Sequence, residues 1–197
     1  MDVELVATGR VDRKLQTFRR IQEEALRLFL EKGFGQTTVE EVAAAAGVSH
    51  MTVFRHFATK EALVVTDEFD YQMPAMIRSR PPEEPPAEAL VNAFRQMLTQ
   101  LTPEDWDRAL KRMRLIISVP ALNGAMWAHW MTSQDAATEA LAEREGPEAD
   151  VYRLRVIVAA VVGVGLSAAY TWAASDGERD LNELIDQSIA TLRDAFC

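Results

Sequence analysis

The sequence predicts an all-α chain of about nine helices, and three observations carry that expectation. Apolar residues return every three to four positions in one segment after another, the spacing of a helix face. Thr38, Ser49 and Thr59 stand before such segments as caps, while Gly33 and Gly47 stand after them as stops. No stretch alternates apolar and polar residues for long, so no strand is expected.

The first helix spans residues 15–32, where Phe18, Ile21, Ala25, Leu28 and Phe29 share a face and Gly33 follows. A second, short helix follows Thr38, which forms a capping box with Glu41 and is stopped by Gly47. Ser49 caps a third helix over residues 50–57, with Val53 and Phe57 turned inward four residues apart. Thr59 caps a fourth that starts at Lys60 and is expected to continue to about Ser79. The run "RPPEEPPAEAL" then interrupts the pattern, because Pro81, Pro82, Pro85 and Pro86 fix φ and remove donors. Further helices are expected at about residues 87–101, 104–118, 121–145, 150–175 and 178–195, with Gly146-Pro147 and Asp176-Gly177 between the last three.

With 197 residues and 48% apolar composition, the chain can bury a real core. Its net charge of -9 argues against a polyanionic partner until its distribution is considered. Acidic and basic side chains balance at nine each over residues 1–65, so the whole acidic excess lies beyond. Arg10, Arg13, Lys14, Arg19 and Arg20 make the first turns locally basic. The single cysteine, Cys197, has no internal partner, and the opening "MDVELVATGR" has no apolar core behind a basic start. A cytoplasmic protein without a signal peptide is the expectation.

Two short helices joined by "AGVS" have the form of a helix-turn-helix, whose second helix enters the DNA major groove. With Val53 and Phe57 as anchors, His50, Met51, Thr52, Arg55 and His56 face outward. Arg55 suits a bidentate contact with guanine, Thr52 a thymine methyl or a phosphate, and His50 the O6 or N7 of guanine. Helix N-termini at Thr38 and Lys60 offer backbone N–H groups to phosphates, and Ser49, the cap of the third helix, is a further DNA-binding candidate. A small contact surface lets an acidic protein bind DNA, since only the local potential counts.

At these residues the chain resembles the TetR family of transcriptional regulators. The stretch "FLEKGFGQTTVEEVAAAAGVSHMTVFRHFATKEAL" follows that family's glycine-aromatic corner, Thr-Thr, Ala-Gly-Val-Ser and aromatic-x-His-Phe-x-x-Lys-Glu-x-Leu close, over about residues 15–65. The resemblance implies a homodimeric repressor, released from a palindromic double-stranded DNA operator by a ligand. Its DNA-binding domain would occupy residues 1–58 and its ligand-binding and dimerisation domain residues 59–197. It places Thr38, Phe54, His56 and Lys60 at phosphates, and His50, Met51, Thr52 and Arg55 at bases. Phe54 departs from the family's usual tyrosine, so a phosphate-directed hydroxyl is missing. More loosely, "RMRLIISVPALNGAMWAHW" is similar to an actinobacterial subgroup with an acyl-CoA-like ligand domain, that of the mycofactocin-system regulator. That similarity would imply a bulky apolar effector, possible phosphate contacts falling to Arg112 or Arg114.

The uncharged run 156–174 is just long enough for a membrane span, but its Ala, Gly, Ser and Thr content suits a helix buried in a bundle, and no membrane partner is expected. Within it Gly163, Gly165 and Ala168 match a dinucleotide fingerprint, with Glu183 beyond, yet the parallel sheet this needs has no room to follow. The helices at 150–175 and 178–195 are instead expected to pair with their copies as a four-helix interface, with Leu181, Leu184, Ile185, Ile189 and Leu192 as an apolar stripe. Trp106, Met113 and Ile117 on one helix, and Trp127, Trp130 and Met131 on the next, are the candidate lining of an apolar ligand pocket. The fourth helix would carry ligand-induced motion to the recognition helices as a single lever. His50, His56 and His129 are the only histidines, and no zinc spacing, P-loop or catalytic constellation appears, so no cofactor and no enzymatic activity are expected. A helical adaptor, and an all-α enzyme fused to a DNA-binding module, are the competing readings.

Overall fold

The computed structural model describes the backbone of residues 2–195 and the side chains of residues 13–195, so Arg10 and the terminal Cys197 lie outside the described side chains. Ten helices and no strand occur among the described residues. They are α1 (Asp2–Lys32), α2 (Val39–Ala45), α3 (His50–His56), α4 (Ala62–Val65), α5 (Phe69–Arg78), α6 (Pro86–Leu98), α7 (Pro103–Ser118), α8 (Pro120–Glu145), α9 (Val151–Ala174) and α10 (Leu181–Asp194). The all-α expectation holds, with one helix more than expected and with α1 starting well before residue 15.

Local chemistry explains most boundaries. Gly33 ends α1 at φ 90°, a left-handed conformation that costs a glycine nothing, and its N–H reaches Phe29 O at 3.0 Å. The buried hydroxyl of Thr37 adds a second stop, lying 3.0 Å from Gly33 O and 3.2 Å from Leu28 O. The capping box is present: Glu41 N–H donates to Thr38 Oγ1 at 3.2 Å, and Thr38 N–H donates to Glu41 Oε2 at 2.8 Å. Ser49 caps α3 by accepting from Thr52 N–H at 3.1 Å. Pro86, Pro103 and Pro120 each stand at the first position of a helix, where a missing N–H is harmless.

The expected fourth helix is broken. It starts at Ala62 rather than Lys60, with Glu61 and not Thr59 at the cap position; Thr59 Oγ1 accepts from Ala62 N–H at 3.1 Å in the turn before it, Thr66 is extended at ψ 141°, and α5 begins only at Phe69. The break is held from a distance. The Gln22 amide on α1 donates to the carbonyls of Leu63 at 3.3 Å and Thr66 at 2.6 Å, replacing helical N–H groups, and Asp67 accepts from Phe69 N–H at 3.1 Å to start α5.

Three apolar cores organise the chain. The first joins α1, α2, α3 and α4 to Leu115 and Ile116 of α7 and Leu122 of α8. The second lies between α5, α6, α8 and α9, and the third gathers Met97, Trp172, Leu181, Leu184 and Ile185 from α6, α9 and α10. Helix α9 packs on both α8 and α10. It is long and apolar enough to cross a membrane, with mean hydropathy 1.9 over its best window, of which only 22% is buried.

Candidate nucleic-acid interface and inner cavity

Helix α3 is gripped from one side. Val53 and Phe57 are each 1% exposed, and the Phe57 ring lies 4.7 Å from that of Phe18 on α1. Phe57 is the last cap residue rather than part of the helix, and its N–H returns to Val53 O at 2.8 Å. The opposite face is open: Met51 is 74% exposed and Phe54 40%, with Arg55 also exposed.

The structure gives several of the predicted residues partners within the chain. His50 Nε2 sits 3.2 Å from Glu40 Oε1, and its ring meets the Phe54 ring edge-on at 4.5 Å. The Thr52 and Ser49 hydroxyls lie 2.8 Å apart. His56 is half-buried against Phe18; burial, with Lys14 and Arg55 nearby, lowers its pKa and favours the neutral ring. Lys60 donates to Phe34 O and lies over the Phe34 ring at 4.4 Å, closing the end of α1. Glu41 also pairs with Lys32 at 2.7 Å, which together with the Thr38 N–H holds its carboxyl below the usual range.

A cavity of about 230 Å³ lies between α1, the α4–α5 break, α6, α7 and α9. Trp106 and Trp172 meet edge-to-face in its wall at 5.7 Å, and Phe69, Phe94, Met97 and Met113 continue that apolar wall. Of the residues singled out in the sequence, Trp106 and Met113 line it. Ile117, Trp127, Trp130 and Met131 do not: Ile117, Trp127 and Met131 are 37%, 64% and 47% exposed, and the Trp127 and Trp130 rings sit 5.8 Å apart elsewhere on α8. The wall that sequence reasoning missed comes from α5, α6 and α9. Trp172, the one tryptophan in the uncharged run, was the available signal.

Three ion pairs border the cavity: Arg19 with Glu68 at 2.5 Å, Arg108 with Asp105 at 2.5 Å, and Arg112 with Asp67. Arg114 pairs with Asp176 away from it. Gly163 and Gly165 lie inside α9, so no strand-turn-helix surrounds the fingerprint-like spacing.

A short helix held by two apolar anchors, capped at its start and open on its other face, defines a helix-turn-helix protein mounted on a helical body. Sequence comparison agrees. Residues 21–66 match the bacterial regulatory proteins of the tetR family, and residues 84–197, more than half of the chain, match the MftR C-terminal domain. The chain belongs to the TetR family of transcriptional regulators. It is similar to the transcriptional regulator TcmR of Streptomyces glaucescens, 35% identical over 173 residues, which cover 83% of this chain and 76% of TcmR. The transcriptional repressor AcnR of Corynebacterium efficiens is 28% identical over 197 residues, covering 93% of this chain and 97% of AcnR. Among solved structures, the TetR-family repressor FadR of Thermus thermophilus, in complex with lauroyl-CoA, matches with TM-score 0.51 and 25% identity over 89% of this chain and 92% of FadR. The families matched are regulators, not enzymes.

Proposed function

We propose that the chain is a cytoplasmic homodimeric repressor that grips a palindromic operator through α3 and lets go when a small apolar effector fills the cavity. The observation that carries this reading is the orientation of α3, with Val53 and Phe57 buried behind it and Met51, Phe54 and Arg55 open to solvent. Residues 1–58 act as the reading head and residues 59–197 as the body. Met51, Thr52 and Arg55 meet base edges, and His50 joins them once it leaves Glu40. Thr38, Ser49, Phe54 and His56 face the phosphates, and Lys60 has N–H groups to spare beyond the one used on Phe34 O.

The two copies join through α9 and α10. Tyr152, Val156, Ala160, Gly163 and Ser167 form an exposed stripe at helical spacing along α9, and an apolar helix this open needs a partner. A second copy offers the same stripe about a two-fold axis, which also supplies the second recognition helix that a palindrome requires. This favours self-association over membrane insertion for α9.

Release starts at the cavity. Phe69, Asp67 and Glu68 of the α4–α5 break form part of its wall, and Gln22 and Arg19 tie that break to α1, on which Phe57 rests. The lever is therefore jointed at residues 66–68, and an effector that shifts the joint changes the spacing of the two α3 helices from the roughly 34 to 36 Å of one DNA turn. The similar FadR of Thermus thermophilus is in complex with lauroyl-CoA, which makes small apolar acyl compounds the first effectors to try.

Selection of duplexes from a random library, followed by fluorescence anisotropy over a salt series, tests the reading. The expected outcome is a two-fold symmetric site bound by two chains, with affinity falling as salt rises. Arg55→Ala should weaken it about 10- to 100-fold, the equivalent of about 1 to 3 kcal/mol. Equal affinity for every duplex, or one chain per site, would overturn it.

A further inference from the structure

The cavity's border is not electrostatically uniform, and the difference points to a chemical class of effector. Glu68 is held through both oxygens by Arg19, at 2.5 and 3.0 Å, a bidentate pair that is difficult to open. Arg108 is shared between Asp105 and Glu23, each at 2.5 Å. Arg112 meets Asp67 through Nη2 and Oδ2, and both side chains are about three-quarters buried, at 25% and 24% exposure.

The two members of that last pair are not equally dependent on each other. Asp67 also accepts from Phe69 N–H at 3.1 Å, so it stays hydrogen-bonded without the arginine. Among the described residues, Arg112 has no acceptor other than Asp67. A cationic ligand that captured Asp67 would leave a mostly buried guanidinium unpaired, at the full desolvation cost. An anionic ligand that captured Arg112 would leave Asp67 with its backbone donor.

We propose, resting on the effector reading above, that the cavity takes a compact apolar acid whose carboxylate replaces Asp67 on Arg112 while its body lies against the Trp106–Trp172 pair. A volume of about 230 Å³ falls below the roughly 300 to 1,000 Å³ of ordinary drug-sized sites, which limits the body to about one ring and a short chain. The exchange also supplies a route to regulation. Asp67 is part of the α4–α5 break, its own N–H donates to Asp70 Oδ2 at 2.6 Å, and Asp70 faces His129 Nε2 at 2.9 Å. Freed from Arg112, Asp67 loosens the joint from α7.

Isothermal titration of the full chain, without DNA, with 4-phenylbutyrate, 4-phenylbutanol and 4-phenylbutylamine tests the assignment. The acid should bind at least about tenfold more tightly than the alcohol, and the amine most weakly. Arg112→Met should bring acid and alcohol to within about twofold, and Asp67→Asn, which weakens the competitor, should improve the acid alone. Equal binding of acid and alcohol, a preference for the amine, or an acid preference that survives Arg112→Met would overturn the proposal. If Arg112→Met does not fold, the Asp67→Asn comparison decides it in the same way. Operator binding is measured separately, so a chain that takes the acid but ignores DNA would refute the repressor reading and leave this one standing.

Discussion

Val156 gives the sharpest test of the proposed α9 seam between two copies. It is 51% exposed on the α9 stripe, between Tyr152 and Ala160. Burying a whole valine side chain contributes about 1.5 to 3 kcal/mol, so the open half contributes about 1 kcal/mol per copy and about 2 kcal/mol per dimer. Val156→Asp removes that contribution and places a carboxylate from each copy in an apolar seam, a penalty of several kcal/mol per ion. The combined loss of at least about 5 kcal/mol raises the dimer dissociation constant by about a thousandfold or more. Sedimentation equilibrium reads the change directly, with helix content by circular dichroism as the control for folding. A folded Val156→Asp protein whose dissociation constant stays within about tenfold of the parent would show that α9 is not the seam.

Other perturbations follow from the same geometry. Phe57→Ala removes a 1%-exposed ring from the joint between α3 and α1, and should destabilise the protein by about 3 to 5 kcal/mol, a fall in Tm of about 6 to 20 °C by calorimetry. An unchanged Tm would mean that α3 is held elsewhere. Phe54→Tyr adds a hydroxyl to a ring already 40% exposed, and should tighten operator binding about fivefold in an anisotropy titration, as one added hydrogen bond to phosphate would. Glu84 accepts from Arg80 and Asn92, and the Arg80 guanidinium above all holds its pKa down from 4.5 to about 2. A depressed carboxylate stabilises the fold above its unfolded pKa and loses that effect as pH falls through the folded one. Glu84→Gln should therefore melt earlier at pH 7, with the gap closing between about pH 4.5 and 2.

Much of this was legible in the sequence because the signals are local. The Thr38–Glu41 box, the Ser49 cap and the Val53/Phe57 spacing each act within one or two turns, so α3 and its exposed Met51 and Arg55 were legible, whereas His56, expected outward, is half-buried against Phe18. The break at residues 66–68 was not legible. "VVTDEF" contains neither Gly nor Pro, and the group that stops the helix is the Gln22 amide, more than forty positions away. The cavity lining failed for a related reason. Apolar residues lie all around α8, so its pattern does not say which face turns inward, and Trp127 and Met131 face outward while Trp106 and Met113 face in. Partners such as Glu40 on His50 and Phe34 O on Lys60 likewise depend on how helices meet.

Leu63, Val64 and Val65 of α4, with Leu115, Ile116 and Leu122, share one continuous core with α1, α2 and α3. The head is consequently not a portable module. Cut after residue 58, it would bare the greasy underside that these six side chains cover, and the severed fragment would clump or melt rather than recognise a duplex. Swapping such heads between relatives demands that the seam travel with them.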